Sequence, residues 1–171
     1  MGVLFTGPSR TDPDRFVAAM IASVASGLGG RFFDELRDKQ SLCYTVTAFS
    51  SARRAAGTFG AYIATSPEKE GVARDGLLAQ FQRFRDQPVT AEELERAQTY
   101  AIGVHAIQQQ SGSAVLGEVV DAWLFGQLSD LESYEKNVRA VTAERMQQLA
   151  RKNFDPDRRV EGIVRGVGRA V

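Results

Sequence analysis

Two side chains with hydrogen-bonding chemistry stand seven residues apart in the stretch Gly27–Phe49, GLGGRFFDELRDKQSLCYTVTAF: Arg37 and Tyr44. The stretch predicts a short amphipathic helix, with Phe32, Phe33 and Leu36 on one side and Asp34, Glu35, Asp38 and Lys39 on the other. A strand over Leu42–Phe49 follows, with Leu42, Tyr44, Val46 and Ala48 on one face. A helix end meeting a strand start brings Arg37 and Tyr44 together. A cation and a phenol at such a boundary are two donors for a substrate carbonyl. Ordinary structural roles account for them too. Arg37 fits a surface ion pair with Asp34 or Glu35, and Tyr44 a half-buried strand aromatic with its hydroxyl at the rim.

The same stretch, as RFFDELRDKQSLCYTV, resembles the second, non-zinc domain of the pitrilysin/insulinase zinc metallopeptidases. The family segment runs roughly L-F-x-E-L-R-x-K-x-x-L-x-Y-x-V. The resemblance implies that Arg37 and Tyr44 reach across a cleft to a peptide substrate. It places Zn²⁺ in a partner, a zinc-bearing homologous domain or subunit, fused or separate. It implies a non-zinc half of a metalloendopeptidase, inactive by itself, that lines a peptide chamber. The alternative is an inactive structural subunit resembling respiratory-complex core proteins. A third reading is a stand-alone peptide-binding module.

The rest of the chemistry-bearing inventory is thin. A catalytic zinc needs about three protein ligands. The family's H-x-x-E-H motif is absent, because His105 is the single histidine, so no metal ligand set is assigned in this chain. His105 reads as an ordinary helical histidine and Cys43 as a small strand residue. Gly27, Gly29 and Gly30 lack the spacings of a phosphate loop and read as a helix-end turn. Phe32, Phe33 and Trp123 read as anchors for the core or for a domain interface, and the aromatic count near the central stretch predicts an apolar face covered by a partner.

The elements that position the pair follow in order. Val3–Phe5 reads as a short strand, which the resemblance implies is longer in the family. Asp12-Pro13-Asp14 starts a helix that Gly27 ends. A second strand, Gly57–Thr65, makes an antiparallel hairpin with the Leu42–Phe49 strand across a loose tip holding Arg53 and Arg54. Ser66-Pro67-Glu68 starts a helix with Ala73, Leu77, Phe81 and Phe84 buried. Thr90 and Glu93 form a capping box for a helix to about Gln110. Helices over 113–125 and 129–138 follow, the latter with a second capping box at Ser129 and Glu132. Thr142 caps the last helix, and Arg159–Val164 is a final strand.

That order predicts a single α+β domain over 1–171, a largely antiparallel sheet with helices packed on one face. Length and composition agree: 171 residues, 43% hydrophobic and 25% charged. Lys plus Arg equals Asp plus Glu, 21 against 21, which argues against a nucleic-acid surface. No run of about 18 apolar residues predicts a membrane span, and MGVLFTGPSR does not read as a secretory signal. The expectation is a soluble chain, cytoplasmic or periplasmic if bacterial.

Overall fold

The computed structural model describes residues 1–26 and 29–166. Four antiparallel strands, β1 (Gly2–Gly7), β2 (Thr45–Ala52), β3 (Gly57–Ala64) and β4 (Arg159–Gly162), form one sheet in the order β2-β3-β1-β4. Both terminal strands therefore lie side by side. β1 is twice as long as its apolar triplet predicts, because all six residues find partners in β3. The helices are α1 (Asp14–Ala25), α2 (Glu70–Asp86), α3 (Ala91–Gln108), α4 (Gly112–Leu124), α5 (Asp130–Arg139) and α6 (Ala143–Asn153).

Strand alternation sends Val3, Phe5, Val46, Ala48, Phe59, Ala61 and Ile63 to one face. There they meet α1, α2 and α6 in a single core. Its centre is aromatic: Phe81 lies within 4.8–6.2 Å, ring centre to ring centre, of Phe5, Phe32, Phe59 and Phe154. The predicted stripe of α2 is buried at all four positions.

Local signals succeed where the partner is a few residues away. Thr90 and Glu93 form the predicted box, with both hydrogen bonds made, and Thr142 accepts from the Arg145 backbone N–H. The predicted box at Ser129 and Glu132 is not formed. Ser129 is itself helical and makes no side-chain cap, and Asp130 is drawn away to Arg10 and Arg15. The predicted end of α1 at Gly27 lies outside the described residues. The helix closes at Ala25, with the Ser26 N–H bonded to the Ala22 carbonyl. Gly30 passes so close to the Ser26 carbonyl that a Cβ there would lie 2.2 Å from its oxygen, so only glycine fits at position 30.

Candidate functional site

The turn that carries Arg37 is a π-helical segment, Phe33–Lys39, instead of the predicted ordinary helix. Such segments widen one turn and re-aim the side chains on it. Phe32 and Leu36 are buried, and Phe33 is only half-buried. At its start the segment is fastened by Arg31, which is 6% exposed. The Arg31 guanidinium grips Glu93 with two bonds of 2.7 Å, donates to the Pro88 carbonyl and lies over the Phe84 ring. Burial disfavours charge on Glu93. Hydrogen bonds from Arg31 and from the Thr90 N–H outweigh that effect and bring the carboxyl to about 2.

Below the segment, α2 presents Gly76. A Cβ there would stand 2.9 Å from Leu36 and 3.3 Å from Leu42, so the missing side chain lets the turn settle onto the helix. At its far end the chain passes through Ser41 in the left-handed region, φ 50°. That conformation is held by Lys69, which donates to the Ser41 carbonyl at 2.8 Å, and by Thr65, which donates to the Leu42 carbonyl at 2.6 Å.

The strand begins at Thr45 and not at the predicted Leu42. Leu42 is buried as read, but Tyr44 stands before the strand, escapes its alternation and is 82% exposed. The half-buried strand aromatic is therefore not what Tyr44 is. The surface ion pair for Arg37 is not formed either. Glu35 binds Lys39 and Gln40, which hold its carboxyl below the usual range, and no carboxylate pairs with Arg37 among the described residues. The Arg37 guanidinium instead lies over two rings, 4.4 Å from the centre of Phe33 and 5.0 Å from that of Tyr44. Stacking uses the faces of the guanidinium and leaves its edge N–H groups for an acceptor. The predicted convergence is thus present.

Beside the pair, residues Ser41–Tyr44 and Ala64–Ser66 with Lys69 line an open groove of about 410 Å³. Burial raises the Cys43 thiol, against the opposing charge of Arg37, so the thiol stays protonated near neutrality. Sequence patterns do not mark Phe33, Gly76 and Lys69 as site residues. The four-residue step from Phe33 to Arg37 is the one local signal that points to a stacked pair. Gly76 and Lys69 are far along the chain and carry none.

His105 lies on α3, stacked at 3.9 Å on Tyr134, with Nε2 3.0 Å from Glu118. No three His, Cys, Asp or Glu groups converge among the described residues. This donor set does not fit a catalytic zinc.

The family described as "Peptidase M16 inactive domain" matches residues 1–100. The chain belongs to that family. It is 22% identical over 147 residues to an uncharacterized zinc protease of Streptomyces coelicolor, covering 85% of this chain and 32% of that protein. It thus spans about a third of that relative's length. Among solved structures, it is similar to the inactive peptidase domain of a putative zinc protease from Bordetella parapertussis. There the TM-score is 0.81 at 20% identity, over 99% of this chain and 92% of that one. The peptidase M16 inactive domain from Pseudomonas fluorescens matches at TM-score 0.82 and 21% identity, over 92% and 39%. A chain of Complex III2 from Candida albicans has the same fold at TM-score 0.77 and 13% identity, over 89% and 39%.

Proposed function

We propose that this domain is the non-zinc half of a zinc metalloendopeptidase, lining the peptide chamber and presenting Arg37 and Tyr44 to the substrate. The observation that carries the reading is the Arg37 guanidinium, free of any carboxylate partner among the described residues and lying over the rings of Phe33 and the exposed Tyr44. An arginine kept only for solubility has no need of two rings and a π-helical turn. Membership of the inactive-domain family and the third of a zinc protease that this chain spans support a companion domain of the same family. The metal and the general base belong to that companion, because the residues here do not fit zinc. No step is assigned to the metal in this chain.

What this chain contributes is hydrogen bonding to the reacting carbonyl. Attack on a peptide bond builds negative charge on its oxygen. The Tyr44 hydroxyl and the Arg37 edge are donors on one rim that strengthen as that charge grows. Water exclusion by the chamber wall strengthens both further. In the complete enzyme, Tyr44→Phe is expected to lower kcat by about a hundredfold or more, with KM little changed. The ring and its stacking survive that substitution, so it isolates the hydroxyl. Arg37→Ala lowers kcat and also raises KM, because the guanidinium holds the peptide before reaction. Steady-state kinetics on a quenched peptide is the measurement. A Tyr44→Phe enzyme with unchanged kcat and thermal midpoint overturns the role.

The second reading, a scaffold without peptidase work, is favoured by one observation, the occurrence of this fold in Complex III2. It predicts that both substitutions leave assembly and activity unaltered.

A further inference from the structure

We propose that the groove beside Tyr44 receives an acidic side chain of the peptide substrate, and that Lys69 is the residue that selects it. This rests on the reading of Arg37 and Tyr44 as substrate-binding groups, and it adds the class of side chain that flanks the reacting carbonyl.

Tyr44 belongs to both the pair and the groove. Its ring carries the Arg37 guanidinium, and it lines the open groove of about 410 Å³. An extended peptide sends successive side chains to opposite sides. One of the residues flanking a carbonyl held by Tyr44 and Arg37 therefore turns toward the groove.

The charge of the groove is one-sided. Among its lining residues Lys69 is the ionised one, and no carboxylate lines it. The Lys69 ammonium donates to the Ser41 carbonyl at 2.8 Å and has further N–H donors to give. No carboxylate pairs with it among the described residues. The acidic residues beside it in the chain are committed elsewhere. Ser66 and its own backbone N–H hold the Glu68 carboxyl below the usual range, and Glu70 pairs with Arg165 at 2.6 Å. Arg37 supplies a second positive charge. At Cys43, which lines the groove, burial raises the thiol and the charge of Arg37 opposes it, so the field of Arg37 reaches this far.

Polar lining alone would admit any polar side chain. Here the Thr65 hydroxyl is already spent on the Leu42 carbonyl at 2.6 Å, so the charged donor decides. A glutamate or aspartate compensates both cations, a glutamine compensates neither, and a lysine is repelled by both. Exclusion of water around bound peptide lowers the local dielectric constant and widens that contrast.

The test is steady-state cleavage by the complete enzyme of quenched peptides that carry Glu, Gln or Lys at each position around the cleavage site in turn. At one position kcat/KM is expected to be at least about tenfold higher for Glu than for Lys, with Gln between them. Lys69→Glu is expected to invert that order and Lys69→Arg to keep it. Salt at about 0.5 M is expected to compress it. Lys69 is exposed, so folding persists in these variants, and far-UV circular dichroism checks it. If Lys69→Glu lowers all three peptides by one common factor, Lys69 only holds Ser41 and the proposal fails. Equal rates for the three peptides at every position overturn it as well, while Tyr44→Phe measured on the glutamine peptide still decides the role of the pair. An enzyme that cleaves none of the peptides sinks that role and the proposal with it.

Discussion

Arg31 and Glu93 show how one pair sets the position of a site neither belongs to. Their bidentate bond ties the entrance of the Arg37 turn to the start of α3. Glu93 serves twice, as the N3 carboxylate of the capping box and as the arginine's partner. Removing its charge leaves the Arg31 guanidinium buried without compensation, so Glu93→Gln is expected to cost about 3 kcal/mol in urea unfolding. The pH dependence follows from the same pair. The folded carboxyl is near 2 and the unfolded one near 4.5, so the stabilisation is complete above about pH 5. It is lost as pH falls toward 2, on the order of 2–3 kcal/mol in all. Urea midpoints measured from about pH 6 to about pH 2.5 are expected to fall more steeply for the wild type than for Glu93→Gln. Parallel curves would show that the pair does not govern acid stability. The capping half of this arrangement was legible in Thr90-Ala91-Glu92-Glu93. The arginine half was not, because the partner stands 62 positions away.

At the scale of elements, α2 is the platform for the π-helical turn. Gly76 is the contact that sets its height. Gly76→Ala adds helix propensity worth up to about 1 kcal/mol and presses on the movable ends of Leu36 and Leu42, so the two effects roughly cancel. Gly76→Leu is expected to destabilise by about 1–3 kcal/mol and to displace Leu36 and Arg37. Thermal unfolding reads the first effect, and altered quenching or chemical shift of Tyr44 reads the second. A Gly76→Leu protein with unchanged stability and an unchanged Tyr44 environment would show that the turn does not rest on α2. Strand β2 is an edge of the sheet and is also managed by a distant residue. The Ser26 hydroxyl accepts from the Ala48 N–H at 2.6 Å and donates to the Ala48 carbonyl at 3.0 Å, closing the edge there against a further strand.

For the molecule as a whole, no helix among the described residues is long and apolar enough to cross a membrane. The isolated chain is expected to hold no stoichiometric zinc after dialysis, read by elemental analysis. His105 is already engaged with Glu118 and Tyr134, and no second histidine exists. One tightly bound zinc per chain would refute the assignment of the metal to a companion domain. What the sequence determined by itself are the features with short range. Helix stripes at three- and four-residue spacing, alternation in β3, the caps at Thr90 and Thr142 and the nearness of Arg37 to Tyr44 each depend on neighbours along the chain. They are dictated by backbone period and local hydrogen bonding. The tertiary structure alone decided which rings would hold Arg37, that Tyr44 would stand free of the strand, and that Arg31 would find Glu93. It also decided that Asp130 would pair with Arg10 and Arg15. Those outcomes depend on contacts closed across long loops, where each residue's choice is set by competition among partners that no local pattern encodes.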